Sequence, residues 1–209
     1  MRLVQRIDLG TVPYRQALSD MTEWVLQRRA GTVGDRLFLL EHPPVVTYGR
    51  RTEPADLPVS DLELVEVDRG GFATYHGPGQ LIGYLIVGLA DRGPVDIVRW
   101  LENGLIEALA TLGFSAIRRE TPAGSTSLVG VWTSDHRKLA SIGMRIRGGI
   151  TSHGFALNID PDMRPFQQFT VCGIHDVTMV SLAELASERG IPVPGDAGIR
   201  GAIANALGC

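Results

Sequence analysis

Residues 69–83 read Arg-Gly-Gly-Phe-Ala-Thr-Tyr-His-Gly-Pro-Gly-Gln-Leu-Ile-Gly, and an apolar run over 81–89 follows at once. Glycine gathers where the backbone must turn with positive φ or come close to another group. Such a cluster directly ahead of a buried strand reads in two ways. It is either a tight hairpin feeding the core or the floor of a pocket. In the second reading Arg69 and His76 are the polar groups of that pocket.

Apolar spacing separates the remaining elements. Alternation predicts strands over 2–9 and 62–68, the latter delivering the chain into Arg69-Gly70-Gly71; a strand over 36–41, with Phe38, Leu39 and Leu40 apolar, is broken by His42-Pro43-Pro44 and followed by a short strand over 45–48. Tyr14, Ala17, Leu18, Met21, Trp24 and Val25 recur at helical spacing and predict a helix over 13–30, with Pro13 suited to its first turn and Gly31 to its stop. A second helix is predicted over 94–112, where Val95, Val98, Leu101, Leu105, Ala108, Leu109 and Leu112 form one face ended by Gly113. A strand over 114–119 and a loop over 120–125 lead to three β-rich segments at 127–133, 138–146 and 150–159, joined by hairpin turns at 134–136 and 147–149. Residues 161–171 read as irregular. Ser181-Leu-Ala-Glu184 is a capping box opening a helix that Gly190 closes, and 199–207 reads as a last helix. No internal repeat and no linker rich in Gly, Ser or Pro divides the chain, so one domain over 1–209 is expected. Strands and helices do not alternate strictly. The expected class is therefore α+β, a mixed β-sheet flanked by helices, and not a doubly wound sheet.

A hydrophobic fraction of 44% supports a sizeable core. Net charge is -3 and the pI is near 5.9, which argues against a nucleic-acid partner. No apolar run is long enough to cross a bilayer, and residues 1–8 lack the apolar stretch of a signal peptide. Two cysteines, Cys172 and Cys209, make no disulfide framework. A reduced, cytoplasmic, soluble protein without a membrane partner is expected.

Cys172 lies in Phe169-Thr-Val-Cys-Gly-Ile-His175. A cysteine before glycine can sit at a turn with its sulfur presented to a pocket, and backbone N–H groups there can converge on an oxyanion. It can equally be a buried, inert cysteine. Cys209, the final residue, is expected to fray and is given no role. Lys138 opens a strand behind His136 and Arg137. Such a lysine is either part of a solvated basic turn or, turned into a pocket, a group that favours thiolate beside it and serves as a base. His76 and His153 each precede glycine and read as pocket groups or as satisfied hairpin histidines. No clustered ligands suggest a metal, no Walker-type loop occurs, and Gly77–Gly83 lacks the spacing and following helix of a dinucleotide loop.

Taken together, several of these stretches resemble one family. Arg69-Gly-Gly-Phe-Ala-Thr-Tyr-His-Gly-Pro-Gly-Gln80 resembles the signature of lipoyl(octanoyl) transferases. Arg137-Lys-Leu-Ala-Ser-Ile-Gly143 is similar to their lysine-bearing segment, Thr151-Ser-His-Gly-Phe-Ala-Leu-Asn158 to their second His-Gly segment, and Cys172-Gly-Ile174 to their nucleophile motif. Glu41-His-Pro-Pro44 and Tyr48-Gly49 fit their early region, so the likeness runs in order from about 41 to 181. It implies the fold of lipoate and biotin protein ligases. It also implies transfer of an octanoyl (or lipoyl) group from acyl carrier protein to a lysine on lipoyl domains of 2-oxoacid dehydrogenase complexes and on the glycine cleavage H protein, with no cofactor.

By position in that resemblance, Cys172 is the acyl-thioester nucleophile and Lys138 its partner. Arg69, Gly70, Gly71, Phe72, Ala73, Thr74, Tyr75 and His76 line the substrate site with Ser141, Ile142 and Gly143 and with Gly154, Phe155 and Ala156; His153 supports them. Because carrier proteins of that family's reaction are acidic, a basic rim is expected from Arg50, Arg51, Arg145, Arg147 and Arg164. Three other readings stay open. They are an ATP-dependent lipoate or biotin ligase, a thiol hydrolase pairing Cys172 with His175 or His76, and a carrier-binding module without chemistry.

Overall fold

The computed structural model describes residues 3–59, 61–174 and 177–209. The predicted start of the first strand at Arg2, and His175 of the hydrolase reading, lie outside these residues. The elements run β1 (Val4–Thr11), α1 (Tyr14–Arg29), β2 (Asp35–Glu41), β3 (Val45–Gly49), β4 (Glu63–Val67), β5 (Thr74–His76) and β6 (Gln80–Ile86). Then follow α2 (Pro94–Thr111), β7 (Gly130–Trp132), β8 (Lys138–Arg147), β9 (Ile150–Asn158), α3 (Leu182–Arg189) and α4 (Asp196–Ala206).

A larger sheet has the order β1-β2-β6-β9-β8-β7 and a smaller one the order β4-β3-β5. β1 lies parallel to β2, and the other pairs of the larger sheet are antiparallel. In the smaller sheet β3 runs parallel to β4 and antiparallel to β5. The mixed character follows the expected class; the second sheet was not foreseen.

Both faces of the larger sheet are covered, so β2 and β6 bury every other residue on each side. On one face α1 packs Ala17 and Met21 against Phe38, Leu40, Ile82 and Tyr84. On the other, α2 and α4 pack Leu101, Leu105 and Ile203 against Leu37, Leu39, Leu85 and Leu157. Leu101, Leu105, Ala108 and Leu109 of α2 are buried as expected; only the start of the face differs, with Val95 61% exposed and Ile97 fully buried. Ile97 stands four residues before Leu101 and so continues the same stripe.

Three further expectations shift. The strand over 114–119 reduces to one bridge, in which Ile117 and Trp132 exchange both backbone hydrogen bonds at 2.7 and 2.9 Å. The last helix begins at Asp196, three residues early, because the Asp196 carboxylate sits in the first turn and pairs with Arg200 at 2.8 Å. Cys209 is not frayed: its amide donates to Ala204 O at 2.9 Å, it packs on the core, and burial pushes its thiol up to about 11. The capping box forms as read, with Glu184 N donating to Ser181 Oγ (3.1 Å), Ser181 N donating to Glu184 Oε2 (2.8 Å), and Gly190 left-handed at φ 63°.

The two sheets meet at the glycine-rich stretch. Gly70 N donates to Met144 O of β8 at 3.1 Å. This approach needs a bare Cα at Gly143, where a methyl group would lie 2.9 Å from Gly70 O.

Candidate active site

A pocket of about 380 Å³ opens at this junction. Its wall includes Arg69, Gly70, Gly71 and Phe72 of the loop before β5, with Thr74 and His76 of β5 itself. From β8 come Lys138, Ser141, Ile142 and Gly143; from β9 come His153, Gly154, Phe155 and Ala156; Cys172 completes it. Ala73 and Tyr75 were expected on this wall and are not there. The strand alternation of β5 turns Thr74 and His76 inward and their neighbours out. Tyr75 packs on Phe166, with ring centroids 5.4 Å apart.

Cys172 sits in a left-handed backbone conformation, φ 57° and ψ 17°. For a residue with a Cβ this costs on the order of 1–3 kcal/mol, and it persists only where surroundings impose it. Here Cys172 N donates to Ala73 O at 2.8 Å, which ties the cysteine to the smaller sheet. Gly173 N and Ile174 N donate to Thr170 O (3.4 Å) and Val171 O (3.1 Å). The three amides around the sulfur are therefore already engaged. The Cys172 sulfur lies 3.6 Å from Ser141 Oγ, at hydrogen-bonding distance for sulfur.

A β-bulge brings Lys138 to the same pocket. β7 and β8 pair Gly130 with Ser141 and Val131 with Ala140, then skip to pair Trp132 with Lys138. In a regular strand residues 138 and 141 would point to opposite faces. The extra residue, Leu139, re-aims Lys138 toward the face that bears Ser141. The lysine is 2% exposed, and its Nζ lies 4.9 Å from the centroid of the Trp132 ring. Its backbone is fixed by the segment that follows Cys172: Lys138 N donates to Thr178 O at 2.8 Å and Val180 N donates to Lys138 O at 3.0 Å.

Gly130 closes the lysine slot. It has φ +144°, and a methyl group there would sit 2.6 Å from Ala140 O and 2.7 Å from Lys138 Cε. Behind it Glu102 of α2 is 3% exposed, and its Oε1 accepts from Gly130 N at 3.0 Å. Burial raises the Glu102 carboxyl above the usual range, while the Gly130 amide and the Lys138 charge hold it down in part. Gly130→Ala is expected to lower stability by about 1–3 kcal/mol and to slow any reaction that uses Lys138. Urea denaturation and a turnover assay check this; wild-type values in both would mean that Gly130 does not seat the lysine.

The floor is a buried polar network. The Arg69 guanidinium donates to Thr47 O (3.1 Å), Thr47 Oγ1 (2.9 Å) and Phe72 O (3.0 Å), so it clasps its own loop onto β3. Gln80 Nε2 donates to Asn158 Oδ1 (2.8 Å) and Tyr75 O (3.2 Å), leaving its Oε1 to accept from His76 Nδ1 at 2.7 Å. His76 Nε2 then accepts from Thr47 Oγ1 at 3.2 Å. Both nitrogens of His76 are thereby committed, and it is not available as the base of the hydrolase reading. Beside it His42 Nδ1 donates to Val12 O (2.6 Å) and Nε2 accepts from Tyr84 OH (2.7 Å).

His153, at φ 59°, has Nε2 3.4 Å from Asp68 Oδ1, and its buried Nδ1 has no hydrogen-bond partner among the described residues. Burial pushes His42 down to about 4 and His76 to about 3; burial, with the charges of Arg69 and Arg145, pushes His153 to about 3. Unfolded histidine titrates near 6.5. Below that value the unfolded chain binds more protons than the folded one, so this contribution to stability is complete above about pH 6.5 and is lost as pH falls toward 3–4. The urea midpoint should fall steadily from pH 6.5 to 4. A flat profile there would clear these rings of any part in acid unfolding.

The expected basic rim divides. Arg51 stacks over Phe72 at 5.2 Å on the pocket wall, while Arg164 is bound to Asp162 at 2.6 Å. Arg50, Arg145 and Arg147 line a separate groove. Sequence reading missed Tyr14, Tyr84, Val98 and Met144 of the pocket wall, and Glu102 behind it. Glu102 carried a visible signal, a lone carboxylate directly beside Leu101 on the apolar face of α2. Among the described residues no group of three His, Cys, Asp or Glu is placed to hold a metal. No described helix is long and apolar enough to cross a membrane.

Residues 13–194 match the family described as the lipoyl protein ligase A/B catalytic domain. The chain is 44% identical over 195 residues to an octanoyltransferase from Frankia casuarinae, covering 91% of this chain and 88% of that protein. Its fold is that of a bipartite lipoate protein ligase from Thermoplasma acidophilum, solved with its E2 lipoyl domain, at a TM-score of 0.69 and 16% identity over 98% of this chain and 82% of that one. A biotin protein ligase from Aquifex aeolicus shares the fold more distantly, with a TM-score of 0.56 and 10% identity over 97% of this chain and 68% of that one.

Proposed function

This chain belongs to the lipoyl protein ligase A/B catalytic-domain family, among its octanoyltransferases, and we propose that it moves an octanoyl group from acyl carrier protein to a lysine of a lipoyl domain through a thioester on Cys172. It is an acyltransferase acting in protein lipoylation. The observation that carries the finer reading is the convergence of Cys172, from the short turn at Val171–Gly173, and Lys138, from β8, on one pocket.

The cycle opens with Cys172 as thiolate and Lys138 as ammonium. The sulfur attacks the octanoyl thioester carbonyl, the carbon–sulfur bond to pantetheine breaks, and the leaving pantetheine thiolate takes its proton from Lys138. The amine of the acceptor lysine then attacks the Cys172 thioester. Neutral Lys138 accepts the amine proton, the amide forms, and Cys172 leaves as thiolate, which restores the starting state. Two half-steps let donor and acceptor proteins bind in turn. The donor is already activated, so the cycle needs neither ATP nor a resident cofactor. The Ser141 hydroxyl is placed to donate to the sulfur while it is anionic. Ile82, Ile142 and Phe155 offer apolar wall to the chain, and burial contributes about 0.8 kcal/mol per CH2. The acceptors are lipoyl domains of 2-oxoacid dehydrogenase complexes and the glycine cleavage H protein.

Intact mass after incubation with octanoyl carrier protein tests this reading. One octanoyl group should be added, be released by hydroxylamine, and map to Cys172. An adduct on any other residue, or acceptor octanoylation that requires ATP and free octanoate, overturns it.

A further inference from the structure

Beside the acyl pocket lies a second groove of about 550 Å³, lined by Arg29, Arg50, Arg145 and Arg147. Consecutive residues straddle the boundary between the two cavities. Arg50 faces the groove and Arg51 the pocket; Asp68 faces the groove and Arg69 the pocket; Arg145 faces the groove between Met144 and Ile146 of the pocket. His153 borders both. The cavities thus adjoin along one boundary, and the buried Nδ1 of His153, without a hydrogen-bond partner among the described residues, lies at it.

Four guanidinium groups gathered in one recess of a chain with net charge -3 are a local feature and not a general basic surface. Arg145 is neutralised by Asp68. Arg29 donates to the backbone oxygen of Arg147 at 3.3 Å, which draws the turn after β8 against α1. The side chains of Arg50 and Arg147 have no carboxylate partner among the described residues, and both are exposed.

We propose that this groove holds the phosphodiester of the phosphopantetheine arm while the arm's thioester lies in the acyl pocket. The inference rests on the donor proposed above. A guanidinium fork matches phosphate oxygens in pairs. Glu66 and Asp68 on the same groove disfavour a broad acidic protein face there, whereas the exposed guanidinium groups of Arg50 and Arg147 suit a single small anion. Placed there, the phosphate sets the direction in which the arm enters, with the sulfur leading toward Cys172.

Three octanoyl donors separate the possibilities: octanoyl-pantetheine, octanoyl-phosphopantetheine and octanoyl carrier protein, each read by the initial rate of Cys172 acylation. In the wild type, KM for the phosphorylated small donor should be about tenfold below that of octanoyl-pantetheine, the return on one charge-assisted hydrogen bond. In Arg50→Gln/Arg147→Gln that ratio should fall toward one. Equal KM values for the two small donors in the wild type overturn the inference. So does a loss in the double variant confined to the whole carrier protein, which would mark the groove as a reader of protein surface. If no donor acylates the wild type, the functional reading fails and this inference falls with it; normal acylation with indifferent KM values removes the groove alone.

Discussion

Cys172→Ser is expected to take up no octanoyl group and to lose transfer by on the order of 10⁴-fold or more, as when a covalent nucleophile is removed from a catalytic unit. The substitution changes one atom in a strained position. The left-handed backbone, the bond from residue 172 N to Ala73 O, and the contact with Ser141 all survive in outline. What disappears is the sulfur nucleophile of the proposed cycle. A hydroxyl is a poor nucleophile without a strong base, and the nearby His76 has both ring nitrogens engaged. A urea curve matching the wild type should accompany the loss. Turnover close to wild type in this variant would end the covalent scheme.

Lys138→Met should lower amide formation by about 10²–10⁴-fold, the usual contribution of a positioned general base. Methionine is unbranched and suits the slot between Trp132 and Gly130, so the fold is expected to hold. Both half-steps should slow, because in the proposed cycle the same amine protonates the departing thiolate and later accepts the proton of the attacking amine. Acylation should recover in part as pH rises, since hydroxide can ionise a thiol directly, while deacylation to the amide should not. Lys138→Arg is the less informative exchange. It keeps the charge but cannot serve as a neutral base, and its longer head would press on Gly130, where the side chain already packs so closely that an added methyl group would lie 2.7 Å from Lys138 Cε. Single-turnover measurement of each half-step decides the matter; transfer within a few-fold of wild type would remove Lys138 from the proton path.

The local signals in the sequence were those that needed no partner to interpret. The helix at Tyr14–Arg29, the long helix at Pro94–Thr111 and the Ser181–Glu184 box depend on neighbours a turn away, and they formed where they were read. Signals that depend on a distant strand were harder. The strand Thr74–His76 hides inside the glycine-rich stretch because its pairing with Val45–Gly49 is what makes it a strand. The segment at 114–119 shows the reverse: a strand-like sequence that finds one partner, Trp132, and no more. Ala73 and Tyr75 belong to a motif whose other members line the pocket, but a motif is continuous and a strand face is not. The aim of Lys138 was beyond reading from spacing, since it depends on a register skip opposite Trp132. The engagement of Arg69 with Thr47 and Phe72 shows why a lone arginine in a glycine-rich loop is not a sufficient sign of a charged ligand.

The backbone of Cys172 is tied by its amide to Ala73, beside the lesser layer, while Lys138 belongs to the greater one. On the proposed cycle a working centre therefore needs both layers in place. A substitution that loosens the contact between them is expected to cost transfer before it costs the fold, because each layer keeps its own strand pairing.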